Sequence, residues 1–397
     1  MKVKLLIGLL FGYAGAACAQ GSVTLYGIID NEMTYQNSAT TVGSTSDGHS
    51  AIKMNSGAWN GSRFGMRGSE ELGGGTKIIF NLESGFSSAT GALGYTNGLF
   101  SREAVVGIAN PAYGTVTTGR TYTAYYLLLS NYSPTLYLSG FYGAHPGDID
   151  SLDTGYRANN SVVYMSPNIH GLKFGASYAF GGVPGSVNAG STWSAGALYS
   201  AGPVGVAAAV QRINNSTPGG GVWGANTTTT SGGTQSDVSA INSGYQTAQA
   251  QQRIALDADY KFSSAWDLSV SYSNVQYIPG INSAFRSTAI FNTAGAVLHY
   301  QATPALSLAT GYSYTRATKA NGITDPATYN QITFAEFYNL SKRTGVYAAQ
   351  AYQRASGSTL VNGQAVTATA SVGDGFNGSP SSTRNQLIFG VGVVHKF

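Results

Sequence analysis

The sequence has little charge. Only 10% of its 397 residues are Asp, Glu, Lys or Arg, whereas an ordinary globular chain has roughly 25%. The formal net charge is +4, which is too small to indicate binding to nucleic acid, because such binding needs a concentrated basic surface. We therefore expect no nucleic-acid partner. Any electrostatic function must come from the local arrangement of a few charged side chains.

Cysteine and long apolar runs are also lacking. Cys18 is the only cysteine, which excludes a fold held together by disulfide bonds. A helical membrane protein would show repeated apolar runs of about 20 residues, but the one sustained run here is shorter and lies at the N-terminus. A disordered chain is excluded too, because 43% of the residues are hydrophobic and 12% are aromatic.

The N-terminal run is typical of a secretory signal. Lys2 and Lys4 precede an apolar core over residues 5–11, and residues 17–19 (ACA) fit the pattern of a cleavage site. We expect residues 1–19 to be a signal peptide and residues 20–397 to form the mature protein. The alternative is a lipoprotein signal that is lipidated on Cys18. Against it, Gly15 stands where such a signal normally has a bulky aliphatic residue.

Apolar and polar residues alternate with a period of two through much of the chain. From 253 to 262 the even positions carry Ile, Leu, Ala, Tyr and Phe, and the odd positions carry Arg, Ala, Asp, Asp and Lys. Residues 172–180, 267–273, 306–314 and 385–397 alternate in the same way. Strands of a transmembrane barrel show this pattern, with apolar side chains toward lipid. A soluble sandwich also alternates, but its polar face is usually rich in Lys and Glu rather than in Ser, Gly, Ala and Thr.

Turn signals divide the chain into segments of strand length. Short links lie at 72–75, 110–112, 168–171, 201–203, 263–265, 302–304 and 340–342. Long polar links lie at 38–58, 87–98, 121–158, 181–191, 213–250, 278–287, 317–329 and 355–384. An up-and-down barrel with short turns on one side and long loops on the other predicts this alternation. The fold class predicted is therefore all-β, a transmembrane antiparallel 16-stranded β-barrel.

Several short motifs are similar to those of one known family. They lie at 21–27 (GSVTLYG), 62–68 (SRFGMRG), 71–75 (ELGGG), 80–86 (FNLESGF), 118–120 (TGR), 144–146 (AHP) and 393–397 (VVHKF). Their order resembles that of the general porins of Gram-negative bacteria, in the β-proteobacterial branch with Burkholderia- and Neisseria-like members. The resemblance implies a homotrimer in the outer membrane, surrounded by lipid and lipopolysaccharide, and a third extracellular loop folded into the lumen. It also implies a water-filled channel for passive diffusion of small hydrophilic solutes.

In this family the narrowest point of the pore has an acidic loop facing a basic wall. The resemblance assigns the loop to 121–158, with Asp148, Asp150 and Asp153, and the basic wall to Arg63, Arg102, Arg120 and Arg157. Further lumen-facing candidates are Lys77 and Glu83. Opposed charges across a narrow aqueous gap would set up a field that orients polar solutes. The preferred ion stays open, because Ile28 stands where some relatives carry a lumenal Lys.

Three further groups of residues have predicted roles outside the constriction. Glu103 follows Arg102, so we expect its side chain to point the opposite way, toward a subunit contact. The loop also carries an aromatic run: Tyr122, Tyr125, Tyr126, Tyr132, Tyr137, Phe141 and Tyr142. These rings could form a slide for sugars, but we expect them to anchor the loop to the wall. We expect Phe397 to be an assembly signal read by the barrel-assembly machinery.

An enzyme and a substrate-specific channel are the two alternative functions. The sequence has no Gly-x-Ser-x-Gly or His-Glu-x-x-His motif, and its five histidines are scattered along the chain. We therefore expect no enzyme, no cofactor and no metal site. The stronger alternative is a substrate-specific channel for sugars or organic anions.

Overall fold

The computed structural model describes residues 21–95, 98–153, 156–229, 238–375 and 377–397. The predicted signal peptide, residues 1–19, lies outside the described residues. The strands are β1 (Ser22–Ala39), β2 (His49–Ser56), β3 (Arg63–Gly73), β4 (Thr76–Gly85), β5 (Glu103–Asn110), β6 (Gly114–Thr121), β7 (Ala158–Met165), β8 (Leu172–Ala179), β9 (Thr192–Ala201), β10 (Val204–Asn214), β11 (Ala250–Lys261), β12 (Trp266–Ile278), β13 (Ala289–Gln301), β14 (Leu306–Ala317), β15 (Thr328–Asn339), β16 (Thr344–Ser356), β17 (Ser358–Val361), β18 (Gln364–Thr367) and β19 (Asn385–Lys396).

All of these strands except β17 and β18 form one antiparallel sheet that closes on itself. The closing pair is β1 with β19, from Ile28 opposite Lys396 to Gln36 opposite Ile388. On its other side, β1 pairs with β3 over residues 22–28 and with β2 over residues 31–39. Since β2 and β3 share one position, the sheet has 16 positions. The predicted 16-stranded barrel is confirmed.

The two faces of the sheet have opposite chemistry, as the alternation predicted. Along β19, Leu387, Phe389, Val391 and Val393 are between 42 and 44% exposed. Gln386, whose side chain points to the opposite face, is fully buried. An apolar outer face and a polar inner face suit a barrel in lipid. No helix in the described part of the chain has the length and apolar character that spanning a membrane would need.

The predicted links match the strand ends, with two differences. The long link 38–58 contains β2. Residues 57–62 then interrupt the strand before β3 begins, and this interruption is called the break below. Asp30 accepts hydrogen bonds from the backbone N–H groups of Trp59 and Asn60, each at 2.7 Å, which replaces ladder bonds lost at the break. The long link 355–384 contains the hairpin of β17 and β18. Its turn residues Asn362 and Gly363 both have positive φ, as an Asn-Gly hairpin turn requires.

The described part of the connection between β6 and β7, here called the 122–157 segment, holds three short α-helices and a 3-10 helix at Pro146–Asp148. The α-helices are α1 (Ala124–Leu129), α2 (Thr135–Leu138) and α3 (Gly140–Gly143). The segment contacts the polar faces of strands that lie far apart around the barrel. Tyr142 donates its hydroxyl to Glu32 of β1 at 2.9 Å, and Arg253 of β11 donates Nε to the Ile149 carbonyl at 3.0 Å.

Candidate functional site

A cavity of about 430 Å³ lies beside the 122–157 segment. Of the residues that the structure describes, five charged ones line it: Arg63, Arg102, Arg157, Asp153 and Asp374. The structure thus brings together three of the four predicted arginines and one of the three predicted aspartates.

Arg63 opens β3, and its inward position follows from the strand's alternation. Phe64 and Met66 are exposed on the outer face, so Arg63 shares the inner face with Gly65 and Arg67. Across the ladder, Gly65 stands opposite Glu83 of β4. This register places Arg63 Nη1 at 3.8 Å from Glu83 Oε1.

Glu83 joins two arginines on the barrel wall. Arg102 donates Nε to Glu83 Oε1 at 2.7 Å, and Tyr26 donates its hydroxyl to Glu83 Oε2 at 2.9 Å. The Glu83 carboxylate is therefore bonded on both oxygens, and it offsets part of the repulsion between Arg63 and Arg102. These contacts place the Glu83 side chain on the inner face of β4.

Tyr122 connects Arg102 to Arg157, a role that the sequence did not reveal. Its hydroxyl accepts from Arg102 Nη2 at 3.1 Å and also from Arg157 Nη2. The Arg157 guanidinium lies over the Tyr122 ring, 4.4 Å from its centroid. Tyr122 in turn stacks on Tyr126, with 4.6 Å between ring centroids. One tyrosine therefore holds two arginines beside the cavity through its hydroxyl and its π-face.

Neither Arg120 nor Lys77 lines the cavity, although the Arg120 guanidinium lies over the ring of Tyr95, which does, 6.0 Å from its centroid. Arg120 follows Gly119, whose φ of 130° accompanies a register shift in the β6–β7 ladder. Its Nε donates to the Ser101 carbonyl at 2.6 Å and its Nη1 to Asn159 Oδ1 at 2.5 Å. Lys77 lies six residues before Glu83 on β4, which is roughly 20 Å along a strand.

The three aspartates of the 122–157 segment have different surroundings. Asp153 lines the cavity. Asp148 accepts the backbone N–H of Asp153 at 3.0 Å and so shapes the turn that presents it. Asp150 is fully buried. Its Oδ2 lies 2.6 Å from His145 Nδ1 and 2.6 Å from the Ser273 hydroxyl of β12.

The environment of Asp150 favours its ionised form. Burial alone would raise the pKa of this carboxyl, but His145 and the Ser273 hydroxyl hold the pKa below its ordinary value. His145 Nε2 also lies 3.1 Å from the Ser271 hydroxyl of β12. The segment is therefore tied to the wall through a Ser–His–Asp array.

A second such array lies on the wall itself. His299 Nδ1 is 3.0 Å from Asp267 Oδ2, and His299 Nε2 is 2.8 Å from Ser307 Oγ. The ring of Tyr137 from α2 covers the imidazole, stacked at 4.0 Å. The first array borders a void of only about 10 Å³, which has room for about one water. Both arrays therefore fit an anchoring role. The described residues hold no group of three or more His, Cys, Asp or Glu suited to a metal ion.

The expectation for Glu103 was wrong. Glu103 stands directly opposite Glu83 in the β4–β5 ladder, so both side chains share the inner face. Its carboxylate accepts from Asn81 Nδ2 and from the Thr121 hydroxyl, each at 2.6 Å. Arg102 precedes β5 and does not follow the two-residue period of the strand, so the two neighbouring side chains need not point to opposite faces.

Most aromatic residues of the 122–157 segment anchor it, as expected. Tyr125 donates its hydroxyl to the Asp150 carbonyl at 3.0 Å, Tyr142 bonds to Glu32, and Tyr137 stacks on His299. Tyr122 and Tyr126 differ, because they lie beside the arginines and Tyr126 lines the cavity.

A closed antiparallel barrel with an apolar exterior and a polar interior is the architecture of a transmembrane β-barrel protein. Comparison with known families narrows this class. The model of the Gram-negative porin family matches residues 6–358, and the chain belongs to that family. Its members and the relatives below place the chain in the outer membrane.

Two curated relatives come from β-proteobacteria. An outer membrane porin protein of Bordetella pertussis is 38% identical over 186 residues, which cover 45% of this chain and 48% of the relative. Outer membrane porin protein 32 of Delftia acidovorans is 32% identical over 189 residues, covering 45% and 50%. The chain thus spans about half the length of the curated relatives it matches.

Solved structures share the fold over nearly the whole chain. The anion-selective porin from Comamonas acidovorans has a TM-score of 0.66 at 22% identity, covering 95% of this chain and 100% of that one. The trimer form of OmpT from Vibrio cholerae has a TM-score of 0.61 at 17% identity, covering 95% and 99%.

Proposed function

We propose that the protein is a water-filled channel for passive diffusion of small hydrophilic solutes and ions across the outer membrane. The observation that carries this proposal is the cavity lined by Arg63, Arg102 and Arg157 inside a closed barrel. The selectivity of a channel is set by the size and the charge of its narrowest point. A cavity lined by arginines can select solutes by charge without any covalent reaction. Membership of the porin family supports a channel rather than an enzyme.

The 122–157 segment is proposed to be the infolded third loop that narrows the lumen. Its contacts with the inner faces of β1, β11 and β12 support this placement, because a loop outside the barrel could not reach all three. The anchors at Asp150, Tyr142 and Tyr137 would keep the constriction at a constant width.

Arg63, Arg102 and Arg157 form the proposed basic wall, and Asp153 is the proposed acidic residue of the gap. Asp148 and Asp150 support the loop, and Arg120 supports the ends of neighbouring strands. Among the described residues, three arginines and two aspartates line the cavity. We therefore propose a modest preference for anions over cations.

Membership of the porin family, residues 1–19 and Phe397 support proposals for export and assembly. The protein would form a homotrimer in contact with outer-membrane lipid and lipopolysaccharide. Residues 1–19 would direct export, and Phe397, directly after β19, would be read by the barrel-assembly machinery. Backbone bonds between Phe397 and Gly27, 3.1 Å in each direction, support a role for this residue in closing the barrel.

The second candidate is a substrate-specific channel for organic anions. It is favoured by one observation, which is that aromatic rings and arginines line the same cavity.

Swelling of liposomes that hold the purified protein tests the diffusion proposal. Uncharged sugars of increasing mass should enter at rates that fall smoothly with size, because the pore sieves them. Saturable uptake of a single sugar, with exclusion of others of equal size, would contradict a general pore. Liposomes prepared without protein give the background rate.

A further inference from the structure

The lining of the cavity combines guanidinium groups with flat apolar surfaces. Beside Arg63, Arg102 and Arg157, the aromatic residues Trp59 and Tyr126 and the aliphatic residue Leu136 line it. The combination matches a solute that carries both a negative charge and a ring.

Trp59 is fixed before any solute arrives. Its backbone N–H bonds to Asp30 Oδ2 at 2.7 Å, and Tyr347 donates its hydroxyl to Asp30 Oδ1 at 2.8 Å. The Trp59 ring packs against Phe337 and Tyr347, with centroids 4.8 and 5.1 Å away. A rigid ring loses little conformational entropy on binding, which favours association.

The break between β2 and β3 brings Trp59 close to the arginine wall. Gly61, two residues after Trp59, also lines the cavity. A Cβ at Gly61 would lie 2.9 Å from Arg102 Nη1, so the guanidinium rests directly against this short segment. The backbone carbonyl of Trp59 also accepts a hydrogen bond from the Gly140 N–H at 3.3 Å, which connects the break to the 122–157 segment. One small molecule can therefore reach a ring and a guanidinium together.

We propose that this cavity is a transient binding site for aromatic monocarboxylates. The inference rests on the proposed channel function and names a preferred solute class for it. A carboxylate fits the planar fork of arginine, and an aromatic ring gains from stacking on another ring. A volume of about 430 Å³ lies within the usual range of small-molecule sites. Asp153 and Asp374 disfavour a second carboxylate on the same solute.

Current block in single channels tests the proposal on the unmodified protein. Benzoate should reduce the chloride current in a saturable way, at concentrations at least tenfold lower than cyclohexanecarboxylate, acetate or benzyl alcohol require. Cyclohexanecarboxylate has the same charge without a flat ring, and benzyl alcohol has the ring without the charge. Equal block by benzoate and cyclohexanecarboxylate would overturn the role of the rings. Equal block by benzyl alcohol would overturn the role of the arginines.

Substitutions locate the site. Trp59→Leu should raise the half-blocking benzoate concentration about tenfold, and Trp59→Tyr, which keeps a ring, should restore most of the affinity. Trp266 is the matched control, because it lies 40% exposed on the outer face of β12, and Trp266→Leu should leave the block unchanged. Equal effects of Trp59→Leu and Trp266→Leu would overturn the assignment. If the unmodified protein conducts chloride but benzoate does not block the current, only this inference is overturned. If the unmodified protein conducts no current at all, the proposed channel function is overturned.

Discussion

Arg102 and Glu83 form a close ion pair on the inner wall of the barrel, with 2.7 Å between Nε and Oε1. Each of the two side chains is only 8% exposed. The same carboxylate oxygen lies 3.8 Å from Arg63, so one negative charge sits between two positive ones. The field at the cavity therefore depends on Glu83 as well as on the arginines that line it.

Replacing Glu83 by Gln should make the channel more selective for anions. The substitution removes the negative charge that offsets Arg63 and Arg102, so the potential at the cavity becomes more positive. The reversal potential in a salt gradient measures the change. Glu103→Gln is the control, because Glu103 faces Asn81 and Thr121 rather than the arginines. An equal shift in both variants would contradict the pairing.

Tyr122→Phe should disturb the arginine wall without removing a charge. The Tyr122 hydroxyl accepts hydrogen bonds from both Arg102 and Arg157, so its loss frees the two guanidinium groups to move apart. We expect greater noise in the open-channel current. Tyr122→Leu also removes the ring beneath Arg157 and should increase the noise further. Noise unchanged in both variants would show that Tyr122 does not position the arginines.

Asp153 and Asp150 should respond differently to substitution by Asn. Asp153→Asn removes a charge that lines the cavity and should shift the reversal potential toward anions. Asp150→Asn removes a buried anchor, so we expect a noisier current and a smaller shift. A larger selectivity shift for Asp150→Asn would reverse the two assignments.

The pH dependence of the Asp150 anchor follows from its pKa. Since the pKa of Asp150 in the folded protein is below its ordinary value, its stabilising contribution is fully present above about pH 4. It is lost as the pH falls through the lower folded pKa. The difference in current noise between the unmodified protein and Asp150→Asn should therefore be present at about pH 5 and shrink as the pH falls below about 4. If the difference had already vanished when the pH was lowered to about 6, the pKa of Asp150 could not lie below its ordinary value.

Gly27→Ala should impair closure of the barrel. A Cβ at Gly27 would lie 2.2 Å from the Phe397 ring and 2.8 Å from the Arg63 carbonyl oxygen. Overpacking of this kind costs about 1–3 kcal/mol. Gly21→Ala is the matched control, because its Cβ would have no neighbour closer than 3.8 Å. The folded fraction, seen as the heat-sensitive band in gel electrophoresis, should fall only for Gly27→Ala. Equal loss in both variants would contradict the packing account.

The sequence could predict the strands and the number of positions in the barrel. Alternation and turn signals are local, and each strand from β7 to β16 lies where they indicated. The Asn-Gly pair at 362–363 is also a local signal for the β17–β18 hairpin, although the segment around it is predicted only as a long link. The break at 57–62 was different, because it depends on Asp30 from another strand.

The site was less predictable because it depends on contacts between distant segments. Arg102 and Glu103 are neighbours in sequence, yet both reach the inner face because Arg102 precedes β5. Arg120 carries the right charge, but the turn of the chain at Gly119 directs it to Ser101 and Asn159. Nothing in the sequence links Tyr122 to Arg157, or His145 to Ser271, since only the folded loop brings them together.

The most direct test of a channel governed by the arginine wall is the reversal potential of the purified protein in a planar bilayer under a salt gradient. We expect stepwise conductance, with steps grouped in threes if the homotrimer forms, and a reversal potential on the anion side. Replacing Arg63, Arg102 and Arg157 together by Gln should move that potential toward cations. Absence of conductance, or a reversal potential that the triple substitution leaves unchanged, would contradict the account.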